Sequence, residues 1–170
     1  LLKKIRNKYN CICFGGSKDL DFTNPDLGQL SKKINQKIDG ILFLQGKSPK
    51  IGFQDIEKEN FVQMFSVDII TPFLIVRELS RLEMLSKDAS LVFLSSVAVK
   101  KGSYDPSYAC SKSSMEGLVR VIRRNISDVR ANIITLGLVE KSPVHVGMTE
   151  DFVELHRKRM GGKLVQVEDV

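Results

Sequence analysis

Residues 91–126 read LVFLSSVAVKKGSYDPSYACSKSSMEGLVRVIRRNI. The run Leu91 to Leu94 is short, continuously apolar and partly β-branched, which reads as a strand buried on both faces. The stretch from about Pro106 to Ile126 repeats its apolar residues at helical spacing. The same pairing recurs outward in both directions. Gly40 to Leu44 (GILFL) is a second strand, preceded by a helical pattern over Leu27 to Lys37. Cys11 to Phe14 is a third, and Arg130 to Leu136 (RANIITL) a fourth. A long helical segment from about Ile56 to Leu85 precedes the strand at Leu91. Buried strands alternating with helices predict an α/β fold, a doubly wound parallel sheet with helices on both faces.

The chain has 170 residues, 42% of them hydrophobic and 27% charged, with 12 Gly and 5 Pro. That suits one domain over 1–170 and excludes disordered and fibrous classes. No apolar run approaches membrane-spanning length, so no membrane partner is expected. The N-terminal LLKKIRNKYN has no apolar signal region. Three Cys are an odd number, which fits a reduced, cytoplasmic protein rather than a disulfide framework. A net charge of +6 admits anionic partners. However, Arg120, Arg123, Arg124 and Arg130 are separated by apolar residues without interleaved aromatics, so nucleic-acid binding ranks last. The sequence begins inside a helical pattern at Leu1 and stops at the helix-starting Glu168-Asp169-Val170. Residues are therefore expected beyond both ends, including a first strand, and a loop gap is admissible at Gly15 to Lys18.

Ser95 and Ser96 directly follow the strand at Leu91, at the carboxyl edge where α/β sheets place reacting groups. Tyr108 and Lys112 lie four apart on one helical face. An ammonium beside a phenol stabilises the phenolate, so the Tyr108 pKa is expected below its usual value of about 10. Such a tyrosine can give or take a proton near neutrality. A bare Y-x-x-x-K is common by chance; the strand, the serines and the helix in this order make it specific.

The segment FLSS…SYACSKSSMEGLVR resembles the active-site segment of the short-chain dehydrogenase/reductase family, which has a Rossmann-type fold. The resemblance implies that Tyr108 is the catalytic acid/base, that Lys112 lowers its pKa and binds the nicotinamide ribose, and that Ser96 stabilises a substrate carbonyl. Ser95 is the competing assignment. Asp21-Phe22-Thr23-Asn24 is similar to the segment after the family's third strand, which implies adenine contacts for Asp21 and Phe22. Gly46 falls at the end of the family's Asn-Asn-Ala-Gly turn, whose other residues are replaced here. Gly137 matches the family's Pro-Gly turn with Leu136 in place of Pro, and Gly137 and Leu138 count among the implied cofactor contacts. Lys141 stands where a Thr often holds the carboxamide, and Ser142 can substitute. Gly161-Gly162-Lys163-Leu164 through Glu168-Asp169-Val170 is similar to a later family stretch. The G-x-G-x-x-G fingerprint is absent. Cys11 to Phe14 ends without an acidic residue and Lys18 is near, which favours NADP over NAD.

Phe61, Met64, Phe65, Asp68 and Pro72 share one face of the long helix, so Asp68 is a carboxylate on an apolar stripe. Pro72 has no N–H for the carbonyl of residue 68, which predicts a kink there. In the family this place is usually an Asn near a water linked to the active-site lysine, which puts Asp68 with the catalytic set. The alternative is an ordinary kink with Asp68 turned to solvent. His145 and His156 lack partners at metal spacing, so no metal is expected. Cys110 reads as a packing residue, and Gly15-Gly16 and Gly161-Gly162 as turns. Lys47, Ser48, Ser142, His145 and Met148 lie on segments expected to border substrate. Thr149 to Met160 reads equally as a mobile cover or a surface helix.

These readings favour NADP(H)-dependent reduction of a small-molecule carbonyl, or oxidation of the alcohol, by a homodimer or homotetramer paired through its two long helices. The second reading is a catalytically weak nucleotide-binding regulator or scaffold, suggested by Phe43-Leu44-Gln45, Asp68, Leu136 and Lys141.

Overall fold

A computed structural model describes residues 5–14, 19–47 and 50–166. The expectations that fell on Leu1, Gly15-Gly16, Lys18, Ser48 and Glu168-Asp169-Val170 lie outside these residues. The chain divides into two compact units, residues 12–134 and residues 1–11 with 135–170.

The larger unit holds the sheet. Helix α1 (Gly28–Lys33) leads into strand β1 (Ile38–Phe43). Helix α2 (Lys58–Phe65), a π-helical turn (Ser66–Ile70) and helix α3 (Thr71–Arg81) follow as one continuous rod. Strand β2 (Leu85–Ser96), a short helix α4 (Ala98–Lys101), helix α5 (Pro106–Asn125) and strand β3 (Val129–Leu136) complete the order. The sheet order is β1-β2-β3, with β1 parallel to β2 and Phe43 paired with Phe93. Their rings stack with centroids 4.6 Å apart. This is the α/β architecture the alternating pattern predicted.

The differences from expectation have local causes. Cys11 to Phe14 forms no strand, because none of the sheet's strands among the described residues pairs with it to satisfy its backbone. Phe14 instead packs at the edge of the core, under the Lys33 ammonium at 5.1 Å. Helix α1 stops at Lys33 because Ile34 turns extended and buries its side chain. The long helix ends at Arg81, and Leu82 to Met84 form a turn with Glu83 at φ 53°. The chain is thereby freed to start β2 at Leu85. One face of β2 (Ala89, Leu91, Phe93, Ser95) is buried, whereas the alternate residues are half-buried rather than fully covered.

The core joins Leu91 and Phe93 of β2 to Ile75, Val76 and Leu79 of α3 and to Met115, Val119 and Ile122 of α5. Both helices therefore present their apolar stripe to the sheet, as their spacing requires. The rod Lys58–Arg81 is 24 residues and contains an 18-residue window with mean hydropathy 1.3, long and apolar enough by length and composition to cross a membrane. The expectation that no such segment exists is thus corrected. In this fold the rod's inward residues, from Met64 to Leu79, belong to the packed interior.

The smaller unit contains helices α6 (Pro143–Val146) and α7 (Glu150–Arg159). Leu138, Val153 and Leu164 form its small apolar cluster, and Val139 bridges Val165 in parallel. Gly161 and Gly162 take φ of 76° and 92°, and Gly162 N–H closes back on Arg157 O at 2.9 Å, the turn that stops α7. The glycine pair is a helix stop, consistent with its reading as a turn.

Phe93 is fully buried at the centre of this arrangement. Phe93→Ala should lower unfolding stability by about 3–5 kcal/mol, read by urea denaturation; a loss below about 1 kcal/mol would contradict the packing described.

Candidate active site

Three elements of the larger unit converge on one place. The carboxyl end of β2 delivers Ser95 and Ser96. The first turns of α5 deliver Tyr108 and Lys112, and the π-turn delivers Asp68. Helix α5 starts where it does because Asp105 caps it and Pro106, which has no N–H to lose, takes its first position. Asp105 is buried and its carboxylate accepts from Tyr108 N–H at 3.1 Å, from the Ser107 hydroxyl at 2.7 Å and from Lys50 N–H at 3.1 Å. It thus fixes the turn that carries Tyr108 and ties the loop after β1 to it.

The two serines separate in role. Ser95 is buried and its hydroxyl donates to Lys112 O at 3.3 Å, a packing contact. Ser96 is half-buried; its oxygen accepts from Ala98 N–H at 3.2 Å, and its hydroxyl is near enough to the Tyr108 phenol to oppose the rise in that group's pKa. Ser96 is therefore the serine that faces the phenol.

Lys112 and Asp68 form a buried ion pair, Nζ to Oδ1 2.9 Å, with the two side chains 5% and 0% exposed. Asp68 Oδ2 accepts from the Ser111 hydroxyl at 2.8 Å, and Lys112 also donates to Leu94 O at 3.2 Å. Asp68 is therefore not turned to solvent. Burial pushes its carboxyl above the usual range, and Lys112 and Ser111 pull it back. Lys112 Nζ lies 5.9 Å from the Tyr108 ring centroid. The expected lowering of the Tyr108 pKa is not found. Burial pushes the phenol up, the Asp68 and Asp105 charges add to the rise, and the nearby Ser96 hydroxyl opposes it. The physical reason is first the burial of the phenol and then the carboxylates near it, neither of which sequence spacing reveals.

The kink also differs in detail. Within the π-turn Thr71 N–H bonds Ser66 O, five residues back, so the next residue in that register, Pro72, stands opposite Val67 rather than Asp68. Gln45 Nε2 donates to Val67 O at 3.4 Å, supplying what the proline cannot. Gln45 was noted only as a departure from the family's turn, and Asp105 was not singled out from the sequence. The Asp-Pro pair at a helix start was a readable cue for Asp105, whereas nothing local marks Gln45.

Gly46 adjoins this cluster: a Cβ there would sit 3.7 Å from Lys112 Nζ. Thr71 Oγ1 donates to Phe22 O at 2.8 Å, tying the Asp21-Phe22 segment to the start of α3. Asp21 Oδ1 accepts from Thr23 N–H and Oγ1 at 2.8 and 2.7 Å, which holds its carboxyl below the usual range. Lys47 Nζ donates to Gln63 Oε1 at 3.4 Å. Gly137, Leu138, Lys141, Ser142, His145 and Met148 belong to the smaller unit. There, Leu138 is buried in the small cluster with Met148 against it. Ser142 accepts from His145 N–H at 3.1 Å, and Lys141 N–H donates to His145 Nδ1 at 2.7 Å.

The arrangement provides a serine hydroxyl, a phenol and an ammonium at the carboxyl edge of a parallel sheet. Residues 26–170 match the profile of the family described as Enoyl-(Acyl carrier protein) reductase. No curated protein matches the chain. Among solved structures, an angucycline C-6 ketoreductase with bound NADP aligns with TM-score 0.74 at 18% identity, covering 86% of this chain and 62% of that one. A 4-hydroxyisoleucine dehydrogenase complexed with NADH aligns with TM-score 0.74 at 15% identity, covering 88% and 66%. A short-chain dehydrogenase family protein from Francisella tularensis aligns with TM-score 0.70 at 19% identity, covering 86% and 66%. The chain belongs to the short-chain dehydrogenase/reductase family. It spans less than two thirds of the length of these structural relatives.

Replacing Asp105 by Ala removes the helix cap and the acceptor for Tyr108 N–H, the Ser107 hydroxyl and Lys50 N–H. Thermal or urea unfolding should show a loss of about 2 kcal/mol, and no measurable loss would contradict its role as the anchor of this turn.

Proposed function

We propose that this chain carries the reaction centre of an NADP(H)-dependent oxidoreductase that reduces a small-molecule carbonyl or oxidises the corresponding alcohol. The observation that carries the reading is the convergence of Ser96 at the end of β2 with Tyr108 and Lys112 on the first turns of α5, Lys112 Nζ lying 5.9 Å from the phenol ring.

The residues fit a nicotinamide nucleotide. Among the described residues, Asp68 and Leu94 O take two of the three Lys112 ammonium hydrogens, which leaves one for a ribose hydroxyl. Gly46 has no side chain to fill the space beside that ammonium. Asp21 and Phe22 are the proposed adenine contacts, with Gly137 and Leu138 as further cofactor contacts. NADP is favoured by the want of an acidic residue at the end of Cys11 to Phe14 and by the NADP bound to the ketoreductase relative. The NADH in the dehydrogenase relative keeps NAD as the alternative.

A reduced nicotinamide, when bound, supplies the hydride. In reduction the Ser96 hydroxyl donates to the carbonyl oxygen and holds it beside the phenol. The Tyr108 O–H then gives its proton to that oxygen as negative charge builds there. Lys112 steadies the resulting phenolate and binds the ribose. In oxidation the same proton travels back to Tyr108. Val62, Ile70 and Phe73 on the α2–α3 rod and Val121 on α5 are exposed apolar residues, which supports pairing into a homodimer or homotetramer through these helices. The free cysteines, Cys11, Cys13 and Cys110, accord with a cytoplasmic setting.

A second reading, a weakly catalytic nucleotide-binding regulator, draws on the Lys112–Asp68 pair and the raised Tyr108 phenol. Tyr108→Phe separates the two. For an oxidoreductase, kcat should fall by about 10²–10⁴-fold with NADPH binding retained, in a steady-state assay with carbonyl substrates. A wild-type turnover that survives the substitution would overturn the proposed chemistry.

A further inference from the structure

The carboxylate of Asp105 is shared between two segments. Its Oδ1 accepts from Tyr108 N–H at 3.1 Å and from the Ser107 hydroxyl at 2.7 Å, which is the cap of α5. Its Oδ2 accepts from Lys50 N–H at 3.1 Å, across 55 residues of sequence, on the connection that leaves the carboxyl end of β1. Capping needs one oxygen only. The second oxygen of this buried side chain therefore has a task of its own.

Two further features mark the position of the β1–α2 connection as imposed on it. Lys50 has φ 58°, the left-handed region that a residue with a Cβ enters at a cost and keeps only where its surroundings hold it. Two residues on, the buried Gly52 lies under the Tyr104 ring. A Cβ there would sit 2.7 Å from Tyr104 Oη and 2.8 Å from Cζ, so any larger residue would displace the ring. Residues 50–52 and 104–105 are thus clamped at two points, one a hydrogen bond and one a ring on a glycine. The same connection meets the Lys112 ammonium at Gly46, so it flanks the reaction centre at two places.

We propose that Asp105 is a positioning residue with two tasks: Oδ1 sets Tyr108, and Oδ2 holds the β1–α2 connection in its strained form as a wall of the substrate space beside the phenol. One carboxylate thereby keeps wall and phenol at a fixed separation, which confines a carbonyl to the reach of Tyr108 and Ser96. The inference rests on the hydride-transfer reading above. Nucleotide binding does not pass through this carboxylate, because Lys47 anchors the Gly46 end separately, donating to Gln63 Oε1 at 3.4 Å.

Asp105→Asn separates the two tasks. The amide oxygen in the Oδ1 place still caps α5, whereas the amide nitrogen in the Oδ2 place cannot accept from Lys50 N–H. Three quantities are read in the full-length protein: amide hydrogen exchange of Lys50 and Tyr108 by NMR, NADPH affinity by nicotinamide fluorescence, and steady-state reduction of the electron-poor probes isatin and para-nitrobenzaldehyde. In the variant Lys50 N–H should exchange faster while Tyr108 N–H stays protected. Probe kcat/KM should fall by about tenfold, with the NADPH Kd changed by less than about twofold. Adding Lys50→Gly, which takes positive φ without strain, should recover part of the loss at the same charge. A wild-type Lys50 N–H that exchanges like an open chain overturns the inference without any variant. A kcat/KM in Asp105→Asn within about twofold of the wild type, an equal loss of nucleotide affinity, or a double variant with no recovery does the same. A wild type that reduces neither probe with NADPH or NADH sinks the hydride-transfer reading and the substrate role with it, while Lys50 exchange still decides whether the tether exists.

Discussion

The buried pair between Lys112 and Asp68 is the constraint around which the larger unit is arranged. It joins helix α5 to the π-turn of the α2–α3 rod, and Lys112 also reaches Leu94 O of β2. Helix, rod and sheet therefore meet at one ammonium group. Desolvating two charges is expensive, and removing either partner strands the other in a low-dielectric interior. The pair consequently fixes the depth and register of α5 against the rod more strictly than apolar packing would, since apolar contacts tolerate small slides that a 2.9 Å contact does not.

That constraint explains the turn of π-helix. A regular helix through Ser66–Ile70 would continue to Pro72 with an unmet carbonyl. The wider turn moves the unmatched acceptor to Val67, where Gln45 Nε2 meets it, and places Asp68 inward. The cost of the irregular turn is offset by an ion pair, a serine hydrogen bond and a side-chain amide. Asp105 works on the opposite side of Tyr108, holding the start of α5 and the loop after β1 in one cluster. Tyr108 is thus anchored through its backbone N–H at the start of α5, with Ser96 near its phenol.

Much of this was legible in the sequence. The alternation of GILFL, LVFL and RANIITL with helical segments gave the parallel α/β class, because buried strands need no polar alternate residues. Ser96, Tyr108 and Lys112 were legible because strand end and helix start bring their positions together whatever the loop between does. Asp68 was legible as an anomaly, a carboxylate on an apolar stripe, but its partner was not. Pairing residues 44 apart in sequence requires the tertiary arrangement. The direction of the Tyr108 shift was misread because spacing reveals Lys112 but not the burial of the phenol, nor the carboxylates near it. Cys11 to Phe14 looked like a strand because apolar content is local, whereas strand formation needs a neighbour to pair with.

The nicotinamide-dependent carbonyl/alcohol oxidoreductase chemistry proposed for this chain requires that the protein bind a nicotinamide nucleotide. It is tested most directly by titrating the full-length protein with NADPH and with NADH and following nicotinamide fluorescence, to which this chain contributes no tryptophan background. Saturable binding, tighter for NADPH, is the predicted result. A folded full-length protein that binds neither nucleotide would contradict the account.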